Sequence, residues 1–478
     1  MGNTSQDREK YPTAGLQTRP LGPGGRIQTR ELGDLAAIAY PKRMSFVRFL
    51  SLVALGAALI GCGDDGAPVP IALQDLVRCD ITESNCQRAI FESVAESLGA
   101  DSTSMPAIRT ISVEQFEQEV RSGVSDDELM GDDPETRGLR LIGFIPEAAE
   151  SVLETEIDYQ VSAIAAYYSS GNRSITVIDR DYEVVSAQSI LAHEFVHAIQ
   201  DRQFGINTVY ANVDTTDGVM GARSVIEGDA TYSSFAWVYD KLGDPVDWEQ
   251  LYLDFQEGSQ EEAADPDVPI IASASGFPYS FGLALLGRAT QARGLSGRAA
   301  FFTAPPPSAL DSMVGYERFV AIGFTPIDPP EDAFPAPVAE SELTLEDRFG
   351  AWYVFATLLR AGLDHDTAWL YARLWLGDEL GIFEDGSEVV AVWRIRFAVD
   401  PSFVADAINQ SGRDVAWSAV AQDNDVFIIA AESDASLAVW EAQPLDMMAA
   451  AVAAAPDVRK GISGIGPLRC NPPRFRAN

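Results

Sequence analysis

Apolar residues at helical spacing predict two long helices near the middle of the chain. The first covers about 186–204, where residues such as Leu191 and Val196 form an apolar face. The second covers about 222–241 and is expected to end at Gly243, because glycine commonly terminates helices. These two helices are the strongest structural signal in the sequence.

Shorter patterns predict the elements on either side. They indicate a helix at 86–98, a hairpin with strands at 161–168 and 175–178, helices at 345–361 and 366–376, and strands at 389–396 and 426–431. Polar or proline-rich stretches predict loops at 125–135, 207–217, 257–269 and 325–342. Helices and strands follow one another without an internal repeat, so the expected fold class is α+β.

The amino terminus resembles a targeting segment. Residues 1–43 are a polar extension, which would be an over-extended start if translation begins at Met44. Residues 44–61 are predicted to be a lipoprotein signal peptide, because basic residues precede the apolar stretch 49–60. That stretch is shorter than the roughly 20 residues that a membrane span needs. An ordinary secretory signal and a buried helix are the alternatives.

The signal peptide ends in Leu59-Ile60-Gly61-Cys62, which resembles a bacterial lipobox. In that interpretation Cys62 carries the lipid and residues 62–75 form a tether. Residues 76–478 then form the folded part, and 76–150 is either an N-terminal subdomain or a removable pro-segment.

Three further cysteines remain beyond the tether. Cys79 and Cys86 lie close together near the mature terminus and could form a local disulfide after export. Cys470 lies at the far end of the chain, where it could pair with either of them or stay free.

The charge of the chain excludes one class of partner. The sequence has 34 basic and 71 acidic residues, for a net charge of −37, whereas its 46% hydrophobic content is ordinary for a globular protein. A surface this acidic repels phosphate backbones, so no nucleic-acid partner is expected.

Histidine carries the candidate chemistry. The chain has three histidines, and two of them form the H-E-x-x-H pattern His193-Glu194-Phe195-Val196-His197. Spacing of four on a helix places both imidazoles on one face, where they could share a Zn²⁺ ion. Glu194 could reach a water on that ion and take its proton as general base. The alternative is a helix with two core histidines and a surface glutamate.

A catalytic zinc needs a third protein ligand. Glu227 on the second long helix is the preferred candidate, and Asp229 is the competing carboxylate. Gly228 and Ala230 would let the two helices approach closely. The third histidine, His365, is flanked by acids at a helix start and is expected to be a surface or capping residue.

The segments HEFVHAIQD and IEGDATY resemble the gluzincin metallopeptidases, the group that includes thermolysin, and especially a group of secreted bacterial and archaeal proteins. The resemblance is specific over about 160–240. It implies a zincin-like catalytic core in which His193, His197 and Glu227 bind zinc and Glu194 is the base. Gluzincins also use a tyrosine or histidine to stabilise the oxyanion. Tyr279 is the first candidate here and Tyr232 the second, and a buried aromatic in the core is the alternative for either.

The expected function is therefore a zinc peptidase, anchored by lipid in the cell envelope and facing away from the cytoplasm. The outer membrane is favoured over the inner, and the expected partner is a peptide or protein substrate. Two alternatives stay open: a zinc-binding envelope lipoprotein without catalytic activity, and a hydrolase of carbohydrate or peptidoglycan.

Overall fold

A computed structural model describes residues 77–443, apart from 123–132, 149–150, 181, 183, 212, 244, 316–340 and 413–414. The described residues all belong to one compact unit. The predicted signal peptide, the lipidated Cys62, Cys470 and most of the predicted loops at 125–135 and 325–342 lie outside the described residues.

The secondary structure is mixed, in agreement with the α+β prediction. Up to residue 314 the elements are α1 (Ser84–Ser97), β1 (Ala107–Ser112), α2 (Val113–Arg121), α3 (Pro134–Ile142), α4 (Val152–Ala163), β2 (Ala166–Ser169), β3 (Ser174–Asp179), α5 (Val184–Phe204), α6 (Ile206–Val209), α7 (Thr216–Leu242), α8 (Trp248–Ala264), α9 (Ile270–Ser273), α10 (Phe277–Arg293), α11 (Leu295–Thr303) and α12 (Ala309–Val314). After residue 341 they are β4 (Glu342–Asp347), α13 (Ala351–Arg360), α14 (His365–Arg373), β5 (Trp375–Asp385), β6 (Glu388–Phe397), α15 (Ser402–Gln410), β7 (Ala416–Gln422), β8 (Asp425–Ala431) and α16 (Asp434–Glu441).

A small sheet in the order β1-β3-β2 lies beside α5. Strand β1 pairs parallel with β3, and β2 pairs antiparallel with β3 as the predicted hairpin requires. The prediction was wrong for 161–163, which belong to α4 rather than to the first strand. Ser151 caps that helix, and the apolar spacing of Ile157 and Val161 continues a helical face that packs in a small core cluster.

The amino-terminal segment is part of this first half of the fold. Strand β1 completes the small sheet, and α1 contributes Ile90, Phe91 and Val94 to the core that contains α5 and α7. A disulfide joins Cys79 to Cys86, where α1 begins. Residues 77–112 therefore belong to the same core as the two long helices.

Two glycines allow close packing of α7 against α10. A Cβ built on Gly228 would lie 2.2 Å from the backbone carbon of Gly282, and one built on Gly282 would lie 2.2 Å from the carbonyl oxygen of Ser224. The prediction that Gly228 serves the contact between the two long helices was wrong. Gly228 serves instead the contact with α10, the helix that carries Tyr279.

A five-stranded antiparallel sheet in the order β4-β5-β6-β8-β7 forms the second half. The strands predicted at 389–396 and 426–431 are confirmed as β6 and β8, which lie at its centre. One large core cluster connects this sheet with α3, α10 and α13.

Two predicted elements were wrong in part, each at a boundary. The expected loop at 257–269 is helical as far as Ala264, because Ser259 and Ala263 continue the buried face of α8. Residues 345–347 belong to β4, and the helix predicted there begins only after Gly350, whose φ of 87° interrupts a helix.

Two more boundaries differ. The helix predicted at 366–376 ends at Arg373, since the next residues enter β5. The second long helix begins at Thr216, six residues earlier than expected, because the Thr215 side chain accepts a hydrogen bond from the Gly218 N–H and caps it.

One described segment, Ile270–Arg293, is long and apolar enough to cross a membrane. Its most apolar part is 89% buried inside the protein. This segment consists of α9, α10 and the turn between them, and it packs in the core against α7 and α8.

A carboxyl pair on the second sheet gives a pH-dependent stability. Burial, followed by a hydrogen bond with Glu346, raises the pKa of Glu379 to about 8. The folded protein keeps a proton that the unfolded chain releases near pH 4.5, so this contribution to stability is lost as pH rises towards 8. We expect Glu379→Gln to raise the thermal midpoint over the parent at pH 8 and to have little effect at pH 4. Calorimetry at both values tests this, and equal shifts would contradict it.

Candidate metal centre

Helix α5 places both histidines of the H-E-x-x-H pattern on one side. Leu191, Phe195 and Ile199 are fully buried and fix the helix in the core. One turn separates His193 from His197, so their rings come into contact, nearly perpendicular and with centroids 4.6 Å apart. The His197 side chain is 1% exposed and that of His193 is 15% exposed, so the pair opens to solvent on the His193 side.

Glu227 completes the cluster from α7. Its Oε2 atom lies 3.3 Å from Nε2 of His193 and 3.3 Å from Nε2 of His197, and the two Nε2 atoms are 3.0 Å apart. Donors about 2.0–2.1 Å from a tetrahedral zinc lie about 3.3 Å from one another. Among the residues that the structure describes, these three form a group of His and Glu side chains whose donor atoms have the spacing of a metal site.

The electrostatics of the cluster favour a cation. Burial alone would raise the pKa of Glu227, but His197 and hydrogen bonds with both imidazoles hold that pKa well below its ordinary value. Burial alone would lower the pKa of His197, yet Glu227 and Glu194 raise it to about 9. Two carboxyl groups therefore stabilise positive charge at His197, and the chemistry of the donor set suits a divalent metal ion.

Glu194 lies beside these ligands without belonging to the group. Its side chain is almost completely buried, and burial is the main cause that raises its pKa. The backbone N–H of Tyr168 on β2 donates a hydrogen bond to the carboxyl group. Its Oε2 atom has no hydrogen-bond partner among the described residues. A buried carboxyl oxygen of this kind suits a group that exchanges protons with a bound molecule.

Asp229, the competing carboxylate, lies behind the cluster. Its Oδ2 accepts a hydrogen bond from Gln200 at 2.7 Å, and its Oδ1 accepts one from Arg298 at 2.5 Å. Gln200 in turn contacts Nδ1 of His197 at 2.9 Å through its own oxygen. Asp229 is therefore connected to the cluster through Gln200, and Glu227 is the carboxylate that meets the imidazoles.

The two candidate tyrosines and His365 lie in three different places. Tyr279 on α10 lies over His193, with ring centroids 6.0 Å apart and the rings nearly parallel. Tyr232 packs against Trp248, 4.8 Å between centroids, in a separate aromatic cluster. His365 is half exposed at the start of α14, where it contacts Gln260. Only Tyr279 of these three lies at the cluster.

Sequence reasoning missed three buried polar residues around the cluster. Gln200 follows His197 by three positions and Arg223 precedes Glu227 by four, so helical periodicity could have placed both on the ligand faces. Arg223 lies 4.0 Å from Oε1 of Glu227. Arg298 comes from α11, and nothing local in the sequence indicates that it reaches Asp229.

Comparisons with known proteins add no assignment. No protein-family model matches the chain, and neither the curated proteins nor the solved structures give a significant match.

Proposed function

We propose that this protein is a zinc-dependent peptidase with a zincin-like core. The observation that supports this most strongly is the set of three donor atoms, 3.0–3.3 Å apart, beside the buried carboxyl group of Glu194. His193, His197 and Glu227 would hold the ion. Zinc, when bound, supplies a Lewis acid that lowers the pKa of water to about 7.

Glu194 would act as the general base. Burial raises the pKa of its carboxyl group. The ionised carboxylate is therefore a stronger proton acceptor than an exposed one. It would take the proton from the attacking water and pass it to the amine that leaves. The Tyr168 N–H would hold one carboxyl oxygen while the other exchanges the proton.

The edge strand β2 suggests how a peptide would bind. It lies at the end of the small sheet and against α5, and the backbone of Tyr168 points towards Glu194. An extended peptide could add to this edge by main-chain hydrogen bonds. Tyr279, which lies over His193, would donate to the oxyanion that forms at the peptide carbonyl.

We also propose that the protein acts outside the cytoplasm. The sequence supports this with the signal peptide at 44–61 and the lipid acceptor Cys62, and a disulfide between Cys79 and Cys86 suits an oxidising compartment. The outer membrane stays the favoured location for the anchor.

A second candidate is a zinc-binding envelope lipoprotein without catalytic activity. The observation that favours it is the shortage of histidines: two of the three in the chain lie in the cluster, and His365 lies on the surface at α14. No described histidine is then left to stabilise an oxyanion, and a Tyr279 with only a packing role would leave that function unfilled.

Cleavage of an unfolded protein separates the two candidates. We expect the purified full chain to cleave a fluorescently labelled unfolded protein, to lose that activity with a chelator and to regain it when zinc is added back. A chain that binds zinc but leaves the substrate intact would favour the non-catalytic candidate.

A further inference from the structure

Four buried polar side chains form a continuous series behind the cluster. Nδ1 of His197 lies 2.9 Å from Oε1 of Gln200, Nε2 of Gln200 lies 2.7 Å from Asp229, and Asp229 lies 2.5 Å from Nε of Arg298. Each of the four residues is at least 98% buried. The series connects three helices, α5, α7 and α11, and ends at Nδ1 of the His197 imidazole.

The orientation of the Gln200 amide follows from its surroundings. Its nitrogen faces two acceptors, the Asp229 carboxylate at 2.7 Å and the Ile226 carbonyl at 3.0 Å. The opposite orientation would place the amide oxygen against both of these oxygens, which is unfavourable in a buried site. The amide oxygen must therefore face His197. Because this oxygen can only accept, Nδ1 of His197 has to carry a proton and donate it.

Asp229 is itself fixed by Arg298. The two form a completely buried ion pair, and the guanidinium lies over the rings of Phe204 and Phe302, 5.6 and 5.9 Å from their centroids. A buried ion pair rarely adds net stability over apolar residues of the same size, because desolvation offsets the attraction. An explanation beyond stability is therefore needed for its place behind the cluster.

We propose that Gln200 is a positioning residue, held by Asp229 and Arg298, that keeps a proton on Nδ1 of His197. Nε2, which faces His193 and Glu227, is then the nitrogen that would bind the ion. This inference rests on the metal-binding part of the proposed function and adds a determinant of metal affinity. Partners of this kind, when altered, typically change metal affinity about 10- to 100-fold.

Zinc affinity of variants tests the role of the series. In Asp229→Asn the neutral amide can donate to Gln200, which removes one of the two acceptors that fix the orientation of the Gln200 amide. We expect zinc, measured in competition with a chromophoric chelator, to bind about 10- to 100-fold more weakly.

A matched control separates positioning from stability. Asp425 forms a similar buried pair with Arg394, 2.7 Å apart, on the second sheet. Asp425→Asn should lower the thermal midpoint without changing zinc affinity. Equal zinc affinity of the parent, Asp229→Asn and Gln200→Leu would overturn the proposal.

The parent protein provides a test that needs no variant. With three histidines in the chain, ¹⁵N-labelled imidazoles give few signals in long-range ¹H–¹⁵N spectra. We expect His197 to keep its Nδ1 proton in zinc-free and zinc-loaded protein. A His197 with no proton on Nδ1 and a proton on Nε2 would overturn the proposal, whether or not the parent binds zinc. Failure of the parent to bind zinc would instead contradict the proposed function.

Discussion

Glu194→Gln should abolish peptide hydrolysis while the protein still binds zinc. The amide has nearly the same shape as the carboxyl group but cannot accept a proton from water. Removing a general base typically lowers the rate about 10²- to 10⁴-fold. His193, His197 and Glu227 are unchanged in this variant, so their donor atoms stay 3.0–3.3 Å apart.

Two measurements on the same preparation test this prediction. Initial rates of cleavage give the loss of activity, and zinc content gives the state of the cluster. A variant with normal zinc content and normal rate would contradict the role of Glu194. A loss of rate in the variant also shows that the measured activity belongs to this chain, because a contaminating protease would survive the substitution.

Gly228→Ala should disrupt both the fold and the candidate metal site of His193, His197 and Glu227. A Cβ at this position would lie 2.2 Å from the backbone of Gly282, so α7 and α10 would have to move apart. Forcing atoms into a close-packed core typically costs about 1–3 kcal/mol, and backbone contacts on both sides place this change at the upper end or beyond. Glu227, the adjacent residue, would move with the helix.

Gly258→Ala is the matched control, because it also lies in a helix but a Cβ there meets nothing within 4 Å. It should stabilise the protein by about 0.5–1 kcal/mol, through the better helix propensity of alanine. Urea unfolding and zinc content of both variants check the prediction. A Gly228→Ala protein as stable and as zinc-rich as the parent would show that α7 and α10 do not need this contact.

The long helices were predictable because their apolar faces are local patterns. The histidine pair followed from spacing alone, and the preference for Glu227 over Asp229 agrees with the distances. The end of α8 was missed because its buried face consists of small residues, Ser259 and Ala263, among acidic ones. Small residues carry almost no hydrophobic signal, although they pack well between helices.

Contacts between distant segments could not be predicted from one sequence. Arg298 reaches Asp229 only because α11 folds back against α7, and Gly228 meets Gly282 only because α10 lies across it. Both contacts depend on how helices pack, which local patterns do not encode. The residues that could hold an ion were thus predictable, whereas the buried polar residues around them were not.

The most direct test of the metal cluster is the zinc content of the purified full chain by elemental mass spectrometry. The parent should contain about one zinc per chain, and Glu227→Ala should contain much less. Glu262→Ala, which removes another largely buried glutamate whose pKa is raised to about 7, should keep its zinc. A folded parent without zinc, or a Glu227→Ala variant with as much zinc as the parent, would contradict the assignment of His193, His197 and Glu227 as a zinc site.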